Sequence, residues 1–205
     1  MVSFCPLCGT GMAFSTLHGK ATTFGVSGLL YNSDLLLYDR ETESLWSQIL
    51  AAAISGPLRG EVLRPLPVEH TTWQDWRKRH PDTQVLSTDT GYNRDYRRSP
   101  YAGYETSDGL YFPVSRLDPR YHPKEQVIGV DIDGHFKVYP FIELARNDGE
   151  VSDEINGRKI TVRFDKTHRS ARVLGTVEGK PLPAVTGFWF AWMAFHPDSR
   201  VFAAE

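Results

Sequence analysis

The sequence predicts an α+β protein made of two diverged, β-rich pseudo-repeats, each a small, twisted and mostly antiparallel sheet closed by a tryptophan-bearing helix. Short apolar runs bounded by turn residues indicate strands along much of the 205-residue chain. Two helical patterns each carry a pair of tryptophans at matching positions. The pseudo-repeats are predicted at 1–87 and 125–205, and a Tyr-, Arg- and Pro-rich connection at 88–124 joins them into one compact domain.

The first pseudo-repeat is predicted to begin with strands and to end with helices. Apolar residues indicate two strands around a hairpin tip at His18-Gly19, and the run Leu35–Tyr38 indicates a buried strand. Apolar residues at helical spacing predict a helix over 45–54. A second helix is predicted over 72–80, because the N-cap candidate Thr72 is followed three residues later by an acidic side chain.

The second pseudo-repeat is predicted to alternate strands with short helices, and its Asp-Gly and Asn-Gly turns mark two hairpins. The predicted elements are strands at 126–132 and 135–139, a helix at 141–146, a strand at 159–164 and a last helix at 188–195. The last helix is apolar on almost every side, so either the other half or a partner subunit must cover it. A homodimer through this helix is therefore one expectation.

A duplication is indicated by residues that recur at a constant offset. Trp73 and Trp189 are 116 positions apart, and the same offset relates the residues around them. The matched residues of the first copy are Leu66, Pro67, Trp73, Trp76, His80, Pro81, Asp82 and Val85. Because tryptophan is rare, two matched pairs together with His-Pro-Asp indicate two related halves.

Composition and charge exclude several classes of function. The formal net charge is −2 and the basic residues are scattered, so no nucleic-acid partner is expected. The longest apolar stretch covers only 188–195, far short of the roughly 20 residues that span a bilayer, so no membrane span is expected. The chain as given opens without a basic segment and apolar run, which predicts a cytoplasmic location.

The most distinctive chemical feature is Cys5 and Cys8 in the motif Cys-Pro-Leu-Cys-Gly, which has the form of a zinc-ribbon knuckle. The two-residue gap lets both thiolates face one zinc or copper ion, and His or carboxylate side chains would have to complete the site. Aligning the strands that precede the turns places Asp165 opposite the first cysteine and His168 opposite the second. Pseudo-symmetry therefore predicts these two as ligands, with His18 as the other candidate.

Other interpretations of the cysteine pair stay open. A redox dithiol of the thioredoxin type would begin a helix, whereas Gly9-Thr-Gly11 follows this pair. The cysteines are otherwise two buried thiols with no function of their own. A bound ion would be structural, or would serve copper handling or redox chemistry.

A second candidate site lies in the polar connection, and it predicts a module that binds a small non-metal ligand while the cysteines are structural. Its arginines suit a carboxylate or phosphate, and its tyrosines suit the walls of a pocket. The candidate residues are Asp89, Arg94, Asp95, Tyr96, Arg97 and Tyr101. Polar residues beside the early strands either line a cleft or close turns, and they are Ser27, Asn32, Ser33, Asp34, Tyr38 and Asp39.

Several long stretches carry a family resemblance, and they are Phe4–Thr10, Thr23–Asp34, Ser44–Gln48, Thr90–Tyr96 and Phe188–Trp192. They resemble an uncharacterised prokaryotic family, domain of unknown function 3179, which brings no established activity. The resemblance implies that members carry a hairpin before the Cys motif, so the first pseudo-repeat is expected to lack its opening. Because many members begin with a signal or lipoprotein segment, it also leaves an extracytoplasmic location open if the start is truncated.

Overall fold

The computed structural model describes residues 1–15, 22–176 and 179–204. Within these ranges the chain forms four small sheets and three short helices, so it is a β-rich α+β protein. None of the helices in the described ranges is long and apolar enough to cross a membrane.

The first part of the chain is built of short strands followed by one helix. In chain order these elements are β1 (Val2–Cys5), β2 (Thr10–Phe14), β3 (Phe24–Tyr31), β4 (Asp34–Asp39), β5 (Leu45–Ser47), β6 (Ala52–Ser55), β7 (Pro65–Leu66) and α1 (Trp73–Arg79). They make two antiparallel sheets, with strand orders β1-β2-β7 and β3-β4-β5-β6.

The last part begins with the predicted hairpin and contains the two other helices. In chain order its elements are β8 (Gln126–Ile132), β9 (His135–Pro140), α2 (Phe141–Leu144), β10 (Glu150–Ile155), β11 (Arg158–Asp165), β12 (Ser170–Gly175), β13 (Val185–Phe188), α3 (Trp189–Phe195) and β14 (Arg200–Val201). They form the sheets β10-β11-β12 and β13-β8-β9-β14, in which only the β9–β14 pair is parallel among the described strands.

The helix predicted over 45–54 is wrong, because the segment forms strands β5 and β6 around a turn. Trp46 lies opposite Ala53 in the antiparallel pair, and both side chains are buried. Ala51 closes the turn with a φ of +53°. Trp46, Ile49 and Ala53 are buried whereas Leu50 is 37% exposed. The three buried positions recur at the spacing of a helical face, which explains the misleading pattern.

The other helix predictions are confirmed, with an N-cap at the first helix and a shorter second helix. The Asp75 amide donates to the Thr72 hydroxyl at 3.3 Å, which caps the start of α1. In both α1 and α3 the second tryptophan donates its indole N–H to a hydroxyl seven residues later. These hydrogen bonds are Trp76 to Thr83 (3.0 Å) and Trp192 to Ser199 (2.9 Å).

Helices α1 and α3 differ sharply in burial. No residue of α1 is buried, whereas six of the seven residues of α3 are. The chain itself covers α3: Phe190 lies in the core of the first sheets, while Trp192 lies against strand β8. A Cβ atom on Gly129 of that strand would overlap the Trp192 ring. A partner subunit is therefore not needed to bury this helix.

The main core joins the beginning and the end of the chain, and this placement determines the surroundings of the cysteines. Cys5 and Cys8 belong to the same buried cluster as Trp46 of β5 and Phe190 of α3. A second core fills the space around β8 to β12. The connection at 88–124 has turns and bends without strand or helix in the structure, and it contributes Tyr104 to the main core.

Candidate metal centre

The two cysteines are positioned by the hairpin of β1 and β2. Cys5 is the last residue of β1 and pairs with Thr10, so a four-residue loop carries Cys8 back over the end of the hairpin. Gly9 has a φ of +63°, a conformation that L side chains rarely adopt. A Cβ atom on Gly9 would lie 3.0 Å from the Phe188 ring, so this glycine also lets the core close over the loop.

A second tight turn brings an acidic side chain to the cysteines. Asn32 and Ser33 have φ values of +49° and +65°, and they join β3 to β4 directly before Asp34. Both central residues of this turn have positive φ, as in the hairpin turns that match strand twist. The ligand atoms of Cys5, Cys8 and Asp34 all lie within 4.8 Å of one another.

The three side chains are removed from solvent. Cys5 is 1% exposed, and Cys8 and Asp34 are 0% exposed. The Cys8 thiol is 3.4 Å from the Ser33 carbonyl oxygen, to which it donates, and Asp34 Oδ2 accepts from the Ile49 amide at 3.1 Å. Both cysteines are free thiols.

Unpaired polar atoms concentrate at the same place. Among the described residues, the buried side-chain oxygens without a hydrogen-bond partner are Ser33 Oγ, Asp34 Oδ1 and the Tyr104 hydroxyl. Ser33 and Asp34 belong to the turn beside the cysteines, and both thiols act electrostatically on Tyr104. An unpaired buried polar atom costs about 1–3 kcal/mol, so a group that bound at this place would offset a cost of the fold.

When no cation is bound, the buried surroundings of the centre disfavour the ionised forms of its acidic groups. The hydrogen bond from Cys8 lowers the pKa of Cys5 to about 6, and the same interaction, with burial, raises the pKa of Cys8. Burial raises the pKa of Asp34 well above its usual value, and the Cys5 charge raises it further. Burial and mutual repulsion thus oppose the simultaneous ionisation of Cys5, Cys8 and Asp34 in the metal-free centre.

A segment of the connection lies beside the centre. Tyr104 is 1% exposed, and its hydroxyl pKa is raised to about 12, first by burial and then by the charge of Cys8. The Lys124 ammonium lies 4.4 Å from the centroid of the Tyr104 ring. The Ser115 amide donates to Asn32 Oδ1 at 2.8 Å, which ties this segment to the turn that carries Asp34.

The structure does not bring the predicted ligands Asp165 and His168 to the cysteines. Asp165 lies at the end of β11, where its carboxylate is 2.8 Å from His168 Nδ1 and also accepts the Thr167 amide. Both are outside the cluster of possible ligands that contains the cysteines. The remaining predicted ligand, His18, lies outside the described residues.

The alignment behind that prediction paired two hairpins that the structure does not bring together. Cys5 pairs with Thr10 as Asp165 pairs with Ser170, so both hairpins close on a four-residue loop. The hairpins belong to different sheets, however. Corresponding residues of two halves occupy corresponding places, and they come into contact only near an axis that relates the halves.

The predicted ligand-binding residues of the connection lie on an exposed part of the chain. A shallow cleft of about 500 Å³ is lined by Arg94, Asp95, Tyr96 and Arg97 together with Thr88 and Asn93. All of these residues belong to the same segment of the connection. The other two predicted residues lie in different surroundings. Asp89 is exposed, whereas Tyr101 is partly buried and packs against the main core.

The acidic member of the centre could be found in the sequence only as one of several polar residues beside the early strands. Asp34 follows an Asn-Ser turn and precedes a buried apolar run, which is also the pattern of a residue that merely closes a turn. Asp39, at the other end of β4, has that plain structural role. It accepts from the Trp46 indole at 3.0 Å and from the Thr42 amide at 2.6 Å.

The fold and the centre define a small β-rich protein with a buried Cys-Cys-Asp cluster that could hold a metal ion. The model of a family described as "Protein of unknown function (DUF3179)" matches residues 1–180, so the chain belongs to this family. The chain has no significant match among curated proteins or among solved structures.

Proposed function

We propose that the protein binds one metal ion, zinc in the first place, through the thiolates of Cys5 and Cys8 and the carboxylate of Asp34. The observation that carries this proposal is the convergence of three buried, acidic ligand atoms within 4.8 Å of one another. Zinc takes Cys and Asp ligands together in tetrahedral sites. The remaining position would fall to a water molecule, an outside ligand or a side chain such as His18.

Charge supports a cation at this place. Three ionised groups this close in a buried site repel one another strongly, and burial penalises each charge separately. A divalent cation offsets both costs, since it neutralises the ligands and accepts their lone pairs. The free Oδ1 of Asp34 has no partner in the described part of the chain, and a metal ion would supply one.

The carboxylate favours zinc over copper(I). Copper(I) prefers soft sulfur ligands, whereas zinc binds both thiolate and carboxylate ligands. A copper-handling site would be expected to depend on Cys5 and Cys8 alone, and to tolerate the loss of Asp34. The variant Asp34→Asn should therefore lose zinc but keep copper(I).

A redox dithiol is supported less well. The low thiol pKa of thioredoxin-type pairs comes partly from a helix that begins at the pair. Here strand β2 begins at Thr10, two residues after Cys8. The pKa of Cys5 is nevertheless lowered to about 6 by the neighbouring thiol, so a chemically reactive thiolate is compatible with the centre when no metal is bound.

Metal content tests the proposal directly. The protein purified under reducing conditions, or reconstituted without oxygen, is expected to hold about one equivalent of zinc by elemental mass spectrometry. Cys5→Ser, Cys8→Ser and Asp34→Asn should each lose the ion, whereas the control Asp39→Asn should keep it. No bound metal after reconstitution with zinc and copper(I) would refute metal binding. Copper retained by Asp34→Asn would refute the zinc assignment.

We also propose that the two halves arose by duplication. The isolated β-bridge Leu174–Pro181 in the second half corresponds to the pair Phe14–Pro65 in the first. Position 174 is 160 residues after 14, the offset that relates Asp165 to Cys5, and position 181 is 116 residues after 65, the offset that relates Trp189 to Trp73. Both helices end in a histidine whose amide donates to the second tryptophan carbonyl. These matches extend the sequence repeat beyond the residues that suggested it, and solved structures of relatives would test it.

A further inference from the structure

We propose that a second site, a polar cleft next to the metal centre, binds a small molecule through a tetrahedral oxyanion such as phosphate or a phosphate ester. The cleft has a volume of about 530 Å³, which falls within the roughly 300–1,000 Å³ of small-molecule sites. It lies between the segment before α1, the connection and the β11–β12 loop. Phe188, whose ring covers Gly9 of the cysteine loop, forms part of its wall.

The buried cation Lys124 is the first observation that points to an anion. This side chain lines the cleft although it is only 5% exposed. Its ammonium donates to the carbonyl oxygens of Ser107 and Gly109, and no carboxylate of the described chain forms an ion pair with it. Burial lowers the pKa of Lys124. The Asp108 carboxylate acts on this ammonium only electrostatically, without an ion pair, and lies 2.9 Å from His122 Nε2. An anion in the cleft would therefore stabilise the Lys124 charge further.

The second observation is the backbone of Arg169, which also lines the cleft. Arg169 has a φ of +47°, in the left-handed region that favours glycine. The matching position in the cysteine hairpin is indeed a glycine, Gly9, with a φ of +63°. An arginine held in this conformation costs stability, and such strain is typically kept where the side chain has a function.

The Arg169 side chain is available for a ligand. Its Nε donates to Gln126 Oε1 at 3.3 Å, and the described residues provide no acidic partner for its guanidinium. A guanidinium presents several N–H donors in a plane and binds phosphate oxygens in pairs, which a glycine or a lysine could not do. Lys124 and Arg169 thus offer one buried and one exposed cation to the same space.

The other polar groups of the cleft fit an oxyanion more than a cation. The hydroxyls of Thr72 and Thr167 can donate to phosphate oxygens, whereas those of Thr71 and Thr106 already donate to the Asp75 carboxylate and the Gly103 carbonyl. The acidic group among the lining residues is the exposed Glu105, and the neighbouring Asp165 is already occupied by His168 and two backbone amides. The donors therefore outnumber the acidic groups that would repel an anion.

Calorimetric titration of the whole, metal-free protein with inorganic phosphate tests the proposal. EDTA in the buffer prevents phosphate from binding through a metal ion, and sodium chloride keeps the ionic strength constant. We expect saturable binding at one site. Arg169→Gly should weaken it by about tenfold or more, while its melting temperature should be equal to or higher than that of the wild type because the backbone strain is relieved.

Asn156→Gly is the matched control. Asn156 also has a positive φ, +49°, in a hairpin turn of the same sheet, but it does not line the cleft. Because asparagine adopts this conformation readily, this variant should change stability little, and it should keep phosphate binding unchanged. Tighter binding of phenyl phosphate than of inorganic phosphate would support an ester as the ligand, and equal binding would support the free anion.

Two results would overturn the proposal: no saturable binding of either phosphate compound to the wild type, or unchanged binding by Arg169→Gly. Because the measurement is made without metal, its failure leaves the proposed metal centre unaffected. Failure of the metal centre would likewise leave the cleft untouched, since the cleft residues belong to other loops.

Discussion

Replacing Asp34 by asparagine should stabilise the metal-free protein while it removes metal binding. In the unfolded chain this carboxyl has a pKa near 3.8, whereas burial raises its pKa well above that value in the folded protein. Between the two pKa values folding takes up a proton, so the metal-free wild type loses stability as the pH rises through this window. The amide variant has no such dependence.

The size of the effect follows from this proton uptake. Asp34 Oδ2 accepts from the Ile49 amide at 3.1 Å, and the amide oxygen of Asp34→Asn can accept the same hydrogen bond. Oδ1 has no partner among the described residues, and the amide nitrogen that replaces it gains none, so this atom does not change the balance. Each pH unit between the two pKa values costs the wild type about 1.4 kcal/mol, so we expect Asp34→Asn to be more stable than the metal-free wild type by about 1 kcal/mol or more at pH 7.5, and by less at pH 4.5.

Asp39→Asn is the matched control, with the opposite expected sign. Asp39 lies at the other end of β4 and is equally buried, but its pKa is lowered because hydrogen bonds from Trp46 and Thr42 outweigh the effect of burial. An amide cannot accept all of these bonds, so the variant should lose about 1–3 kcal/mol.

Urea unfolding of the metal-free proteins, with EDTA and a reducing agent, measures both variants at the two pH values. A stability of Asp34→Asn below that of the metal-free wild type at pH 7.5 would refute the charge argument. Zinc binding by this variant as tight as that of the wild type would refute the role of the carboxylate.

Two further predictions concern proton release and packing. Zinc binding should release at least the proton of Cys8, whose pKa is raised, so that affinity rises by about tenfold or more per pH unit above the Cys5 pKa of about 6. Calorimetry in buffers of different ionisation enthalpy measures this release, and pH-independent affinity would contradict it. Gly129→Ala should destabilise the protein by about 1–3 kcal/mol in urea unfolding, because the added methyl meets the Trp192 ring. Gly175→Ala, with its nearest neighbour at 3.6 Å, should be tolerated, and equal effects of the two changes would contradict the packing account.

Local signals in the sequence predicted local structure well. The Asp133-Gly134 and Asn156-Gly157 turns both form hairpins, since these residues adopt the positive φ values that tight turns require. Thr72 caps its helix because its hydroxyl can reach the amide of Asp75. Each of these outcomes depends on residues within a few positions of one another.

The completion of the metal centre could not be predicted in this way. Cys8 and Asp34 come together because the loops of two separate sheets meet in one core, and neither loop sequence specifies the distance between them. The predicted ligands Asp165 and His168 occupied the corresponding hairpin of another sheet instead. A repeated pattern identifies equivalent positions, whereas contact between them depends on how the sheets pack.

X-ray absorption spectroscopy of the zinc-loaded protein tests the central claim most directly, because it counts the ligand atoms around the ion. The proposed centre predicts two sulfur atoms at about 2.3 Å from zinc and oxygen or nitrogen atoms at about 2.0–2.2 Å. The Cys8→Ser variant should lose the ion and show no zinc–sulfur signal. A zinc ion with no sulfur neighbours, or with more than two, would contradict a centre built from Cys5, Cys8 and Asp34.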